Sequence, residues 1–497
     1  MTKYILAIDE GTTGATCLMI GQDGHVAGRG YREIPQYFPA PGHVEHDALE
    51  ILECVRLAAR EAIDAVGAEP SAIGITNQRE TIVLWERDTG RPVHRAIVWQ
   101  DRRTEARCRE LAGGGRADWI AARTGLLPDP YFSATKLEWL LRQKGIHSRY
   151  AAGDLAAGTI DSWLVWQLTG GALHATDPTN ASRTMLFDID RLAWSNELCE
   201  LFGVPMDVLP EVRRSSGDFG VTRSDILGAE IPIRGIAGDQ QAALFGQGCF
   251  DRGTSKNTYG TGAFLLLNAG HERPASAPGL LTTVACDATG GPAYALEAAI
   301  FIAGAAVQWL RDGLGIVERA SDTEVLARSI ESTDGVYFVP ALTGLGAPHW
   351  EAAARGTIVG LTRGSGRAHL ARAALEAMAF GTAEVLQSMA KASGAQFERL
   401  RVDGGATTND WLMQFQADVL GVPVERPAMV ETTAVGAAGL AGLSAGVWRT
   451  VDDFLATHHF TSFTPRMSRD DARALLLGWE RAVRATVGWA RDASASS

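Results

Sequence analysis

Gly235-Ile-Ala-Gly-Asp-Gln-Gln-Ala-Ala-Leu-Phe-Gly-Gln-Gly248 joins an apolar run to a helix-forming run through a single acid. Ile231 to Ile236 reads as a strand, and Ala237-Gly238 ends it. Asp239 and Gln240 then open a helix, continued by Ala242, Ala243, Leu244 and Phe245. A carboxylate at this junction lies near the positive end of the helix dipole. It can serve as an ordinary N-cap, or it can be a reactive acid held at a strand end. The segments on either side favour the second reading.

A chain of 497 residues is too long for one ordinary core, so two domains are expected. The net charge of -12 argues against a nucleic-acid partner, whose phosphates need a basic surface. Six scattered cysteines without a C-x-x-C pair read as reduced thiols of a cytoplasmic protein. The N-terminus reaches Asp9 too soon for a signal peptide, and no uncharged apolar run approaches a membrane span. The Gly/Ala-rich run from Ala434 to Ala445 reads instead as a helix packed closely on a neighbour.

The chain opens as a β-meander. Lys3 to Ile8, Ala15 to Ile20 and His25 to Ile34 are strands, and Asp9-Glu-Gly-Thr-Thr-Gly14 is the first turn. Successive N–H groups in such a turn cradle an anion, and Thr12 and Thr13 add hydroxyls. Asp and Gly are equally the residues of a plain hairpin. No G-x-x-x-x-G-K-[ST] loop occurs, nor a strand–G-x-G-x-x-G–helix unit. A helix from Asp47 to Val66 follows, with Glu50 completing a capping box and Leu49, Leu52, Val55, Ala59, Ala62, Ile63 and Val66 as its buried stripe. The strand Ser71 to Thr76 delivers Arg79 and Glu80. These are a surface ion pair or a donor–acceptor clamp for vicinal hydroxyls. Trp99, at another strand end, suits either the core or the apolar face of a small ligand. Tyr131 lies in a loop before a helix.

After Gly248 the plan repeats. Lys256-Asn-Thr-Tyr-Gly-Thr-Gly-Ala-Phe264 is again strand, Gly/Thr turn and strand. Glu297 to Arg311 reads as a helix with Gly304 and Gln308 on one face. Asp403-Gly-Gly-Ala-Thr-Thr-Asn409 is a strand-to-helix turn on whose backbone a flat base or ribose can lie.

In order, Asp9-Glu-Gly-Thr-Thr, Asn77-Gln-Arg-Glu-Thr, Tyr131, Gly238-Asp-Gln, Asn257-Thr-Tyr-Gly-Thr-Gly and Asp403-Gly-Gly-Ala resemble the FGGY carbohydrate kinases over residues 4 to 450. The segments around Asp239 and Lys256 are similar to members acting on glycerol rather than on xylulose or gluconate. The resemblance implies an α/β protein of two ribonuclease-H-like (actin-like ATPase) domains flanking a central cleft. Residues 1–247 would hold the polyol site, the first phosphate hairpin and the catalytic Asp. Residues 248–497 would hold the second hairpin and the nucleoside site.

By the same resemblance Asp239 is the general base. Arg79, Glu80, Tyr131 and Gln240 bind the polyol, with Trp99 and Phe264 on its carbon face. Thr12, Thr13 and Gly14 hold the ATP phosphates from one side and Thr261 from the other. Gly304, Gln308, Gly405 and Asn409 line the nucleoside. Asp9 and Asp239 hold Mg²⁺, partly through water. A homo-oligomer, dimer or tetramer, is implied as well. Two departures stand out: Glu10 replaces the usual Gln, and Gly14-Ala-Thr16 replaces the usual Ser-Ser-Arg. The alternatives are a related kinase for another polyol or ketose, or a non-kinase actin-like ATPase. In the latter Arg79, Glu80 and Asp239 would be idle.

Overall fold

The computed structural model describes residues 2–146 and 153–495. Two mixed sheets organise it. In the first, β1 (Tyr4–Glu10), β2 (Gly14–Gly21) and β3 (Val26–Glu33) form the expected antiparallel meander. β4 (Ala72–Asn77) and β5 (Ile233–Gly238) add in parallel, giving the order β5-β4-β1-β2-β3. In the second, β6 (Thr254–Tyr259) and β7 (Ala263–Gly270) form the hairpin. β8 (Leu281–Cys286) and β9 (Pro292–Ile300) extend it on one side. β10 (Arg399–Asp403), β11 (Val424–Pro427) and β12 (Phe460–Phe463) extend it on the other. The order is β8-β9-β7-β6-β10-β11-β12. The core order β11-β10-β6-β7-β9 repeats β5-β4-β1-β2-β3, with the same mixture of parallel and antiparallel pairs. The repeat read in the sequence is thus a repeat of topology.

Two local readings are corrected. The segment beginning at Glu297 is not helical. β9 runs through Glu297 to Ile300, and the helix α3 occupies only Gly304–Asp312. Ala-Leu-Glu-Ala-Ala-Ile is ambiguous by periodicity, and pairing with β7 on one side and β8 on the other decides it. Helix α1 (Ala48–Val66) ends at Gly67 as expected, and Asp47 caps it by accepting from the Leu49 N–H. Glu50 completes no box; it accepts from the Tyr37 hydroxyl. The buried face of α1 is Ala48, Ile51, Val55, Ala58, Ala59 and Ala62, while Leu49 is 48% exposed. The cause is close approach. A Cβ at Gly28 or Gly30 of β3 would collide with the Ala62 or Ala58 carbonyl, so the alanine face packs rather than the leucine face.

The helix α2 (Asp239–Gly246) is held against α6 (Thr432–Ser444), which arrives from the C-terminal half. Gly246 meets the Thr432 carbonyl and Gly436 the Ala242 carbonyl, so no side chain fits at either position. α6 buries Ala434, Ala438, Leu440 and Ala441 with Ile5, Ala7 and Ala237 of the first sheet. The small-residue helix therefore crosses back onto the N-terminal half. Two further helices, α4 (Arg367–Ser393) and α5 (Asp410–Leu420), cover the second sheet. Among the described residues no helix is long and apolar enough to cross a membrane.

Candidate active site

Asp239 is the first residue of α2, after the cap Gly238. Its Oδ1 accepts from the Gln240 N–H at 2.7 Å and lies 3.1 Å from Arg79 Nε. A third of its side chain (34%) remains exposed, whereas that of Arg79 is 2% exposed. A buried guanidinium therefore abuts an acid that stays open to the cleft. Arg79 and Glu80 follow β4 and are not a surface pair. Both are buried, and Glu80 adopts a left-handed backbone (φ 63°), an unusual conformation for a residue other than Gly, Asn or Asp.

Besides Asp239, three groups satisfy the guanidinium. Arg79 Nη1 donates to Glu297 Oε2 at 2.6 Å and to Gln241 Oε1 at 3.2 Å. Its Nη2 donates to Glu297 Oε1 at 3.2 Å and, at the long distance of 3.4 Å, to the Tyr131 hydroxyl. A second buried arginine closes the cluster: Arg183 Nε donates to Glu80 Oε1 at 2.7 Å and its Nη2 to Glu297 Oε1 at 2.9 Å. The Arg183 guanidinium also lies over the Phe132 ring, 5.1 Å from its centroid. Burial pushes the Glu297 carboxyl upward, but Arg183 and Arg79 more than offset it and hold it at about 2. Burial wins at Glu80, which is shifted up despite both arginines.

Sequence reading missed Arg183, Glu297 and Gln241. Arg183 follows a short polar segment with no motif of its own, and Glu297 reads as helical by periodicity. The available signal was a lone Glu in the apolar run of β9, since a charge there must find a partner.

Trp99 ties Tyr131 to the first hairpin. Its Nε1–H donates to Thr12 Oγ1 at 2.9 Å, and its ring meets Tyr131 edge-on at 5.6 Å. Thr13 is exposed at the tip, and the Ile34 N–H bonds its carbonyl. Gly14 sits against the ring of the half-exposed Tyr31, 2.5 Å from where a Cβ would lie. Phe264 is half-buried on β7, paired with Ala299, and so shares a sheet face with Glu297 two residues away. Gln240 is half-buried, and its Oε1 accepts from the buried Lys256 ammonium.

The second hairpin opens on a cleft of about 430 Å³ that brings together Thr261, Gly304, Gln308, Gly405 and Asn409. Gly304 also packs on the Gly260 carbonyl, where a Cβ would be 2.6 Å away. Gly404 (φ 90°) presses on the backbone of Tyr259, while Gly405 faces open space. Asn409 caps α5 through its oxygen, at 2.9 Å from the Leu412 nitrogen, which leaves its amide NH₂ for other partners.

Asp9 ends β1. Burial, then the charges of Asp239 and Glu431, raise its carboxyl to about 7. Among the described residues no group of three or more His, Cys, Asp or Glu could enclose a metal. Two mutually repelling carboxylates nevertheless fit a Mg²⁺ ion, which keeps most of its waters and takes the rest of its ligands from phosphate.

Glu10 is fully buried and turned to Gln78, whose Nε2 donates to Glu10 Oε1 at 2.9 Å. Glu10 Oε2 and the neighbouring His46 Nε2 are buried without a hydrogen-bond partner among the described residues. Burial raises the Glu10 carboxyl well above its usual range, which favours the uncharged form. Below about pH 4.3 the unfolded carboxyl also keeps its proton and Glu10 costs nothing. As the pH rises, the unfolded state ionises first, and stability falls until the raised folded-state value is passed. Glu10→Gln removes that penalty. Its melting temperature should match wild type near about pH 4 and exceed it by a few degrees near about pH 8. Equal melting curves at both pH values would mean that Glu10 is ionised in the folded protein.

Comparison with known proteins agrees with this architecture. The FGGY family of carbohydrate kinases matches through its N-terminal domain over residues 4–246 and its C-terminal domain over 255–445. A curated glycerol kinase of Halorhodospira halophila is 53% identical, with 99% of this chain and 98% of that protein aligned. One of Aromatoleum aromaticum is 54% identical, with 98% and 99% aligned. The crystal structure of Plasmodium falciparum glycerol kinase with ADP superposes with a TM-score of 0.94 at 36% identity, covering 98% of each chain. Gluconate kinase from Lactobacillus acidophilus, at 21% identity and a TM-score of 0.89, shares the fold. With both family domains in sequence and a relative this similar along its whole length, the chain belongs to the FGGY family of carbohydrate kinases.

Proposed function

We infer that the chain transfers the γ-phosphoryl group of ATP to a terminal hydroxyl of glycerol, giving sn-glycerol 3-phosphate and ADP for glycerol catabolism. The observation that carries the reading is Asp239, an exposed acid at a helix N-terminus, held at 3.1 Å by the buried Arg79. The curated relatives named glycerol kinase, similar over nearly the whole chain, supply the substrate.

Asp239 accepts the proton of the attacking hydroxyl as the O–P bond forms. Arg79 Nε, 3.1 Å from Oδ1, keeps that carboxylate aimed. A polyol hydroxyl takes the Nη2 edge of Arg79, where the 3.4 Å contact to Tyr131 is the weakest of its bonds. Glu80, Tyr131 and the Gln240 NH₂ bind the remaining hydroxyls, with Trp99 and Phe264 against carbon. Thr12, Thr13 and the Gly14 N–H meet the phosphates from the first hairpin and Thr261 from the second. Gly304, Gln308, Gly405 and Asn409 line the nucleoside. Asp9 and Asp239 would hold Mg²⁺, which would supply neutralisation of phosphate charge. Placement and charge compensation suffice, because phosphoryl transfer asks little covalent help of the protein.

The two units divide at residues 247 and 248, with α6 crossing back. A cytoplasmic location and a dimer or tetramer complete the proposal. Sedimentation of the purified chain tests the oligomer.

The deciding experiment is ADP release with Mg·ATP and glycerol, erythritol, xylulose, ribulose, gluconate or dihydroxyacetone, beside a blank without substrate. Glycerol should stimulate release most. Preference for another polyol would move the substrate, and equal release in every tube would remove the kinase reading.

A further inference from the structure

The second sheet reaches into the polyol site with two charged side chains. Lys256 of β6, Leu266 of β7 and Glu297 of β9 are cross-strand neighbours in one row, so they share one sheet face. Lys256 and Glu297 stand two strands apart, on the order of 10 Å, on either side of Leu266. Their partners are the two polyol residues nearest Asp239. Lys256 Nζ donates to Gln240 Oε1 and, at 2.8 Å, to Thr258 Oγ1. Glu297 takes both terminal nitrogens of Arg79. Both ionic side chains are buried, Lys256 fully and Glu297 to 3% exposure. Burying such charges is costly unless they are paired, and apolar residues would fill the row at least as stably.

We propose that Lys256 and Glu297 are positioning residues of the C-terminal sheet that set the polyol contacts of the N-terminal half, by fixing the rotamers of Gln240 and Arg79 on either side of Asp239. The proposal rests on the polyol-site reading above. The chemistry is specific. An ammonium can only donate, so it commits the Gln240 carboxamide to pointing its oxygen at Lys256 and its NH₂ elsewhere. A carboxylate accepting from both Nη atoms locks the guanidinium plane, which turns the Nε edge toward Asp239. Arg183 supports Glu297 from behind, through its bond to the same Oε1. Gln241, bonded to Thr283 Oγ1 and the Val284 carbonyl of β8, braces the guanidinium from the same sheet. Polyol contacts on the N-terminal half thus take their geometry from residues of the other half.

The test compares full-length wild type, Glu297→Gln, Lys256→Met and, as a packing control in the same row, Leu266→Met. Steady-state KM and kcat are measured for glycerol and ATP, with ADP affinity measured separately. Glu297→Gln and Lys256→Met should each raise glycerol KM by about 10- to 100-fold, the scale of one charge-assisted hydrogen bond. ATP KM and ADP affinity should stay within about twofold. Leu266→Met should leave both KM values near wild type. Glu297→Asp, which keeps the charge, should recover part of the loss. If Glu297→Gln leaves a guanidinium too poorly paired to fold, Lys256→Met carries the same comparison. Glycerol KM unchanged in the folded variants, or both KM values shifted equally, would overturn the proposal. Failure of the underlying reading would show earlier and differently, as wild-type protein that glycerol does not stimulate.

Discussion

Asp239→Asn is expected to lose about 10²- to 10⁴-fold in kcat, the range of a general base, while retaining its fold and its affinity for ADP. The substitution keeps size and shape. An amide oxygen can still accept the Gln240 N–H now bonded to Oδ1 at 2.7 Å. Arg79 keeps its bonds to Glu297, so no buried cation is left alone. What disappears is the site that takes the hydroxyl proton. On the proposed reading the two hairpins still place the phosphates, and that placement accounts for whatever turnover remains. Steady-state kinetics at saturating glycerol, with ADP affinity measured in parallel, checks this. Near-wild-type kcat would remove Asp239 from the role of base.

Arg79→Ala should be more damaging, because it breaks the buried cluster as well as the site. Two arginines, 79 and 183, currently face three acids, Glu80, Asp239 and Glu297. Removing one leaves Arg183 as the one arginine among three acids, two of them buried. Breaking a buried pair in this way costs about 3–5 kcal/mol. Melting temperature and soluble yield should fall together, and glycerol KM should rise by about 100-fold or more as the anchor beside Asp239 is lost. Arg79→Lys separates the two effects. A lysine returns one charge but not the planar fork that reaches Glu297, Gln241 and Tyr131 at once. It should recover stability more than glycerol affinity. Thermal unfolding and glycerol titration of both variants give the answer, and an unchanged KM in Arg79→Ala would discard the clamp.

Features carried by contiguous residues were legible in the sequence. The meander and its Gly/Thr tips, the strand-to-helix turn holding Asp239, and the repeat of that plan after Gly248 all depend on local backbone preferences, which a short string encodes. The close-packed helix at 432–444 was legible for the same reason, since only small residues allow two backbones to touch. Local signals failed where a neighbour decides the outcome. Leu49 looked like core until the glycines of β3 drew α1 in by its alanine face. Ala295 to Ile300 could be helix or strand until two flanking strands paired with it.

The sequence by itself determined the kind of protein: a duplicated α/β plan, with a Gly/Thr hairpin in each half and an acid at a helix N-terminus between them. Tertiary structure alone decided how the acid is served. Arg79 and Glu297 are 218 residues apart, and Glu80 and Arg183 are 103 apart. No spacing rule connects them, because the link is made by sheets and helices packing across the whole chain. The same holds for Glu10, whose charge in the sequence is formal. Whether a carboxyl is ionised depends on its surroundings, and only the fold shows that this one is fully buried, with Oε2 unpartnered among the described residues.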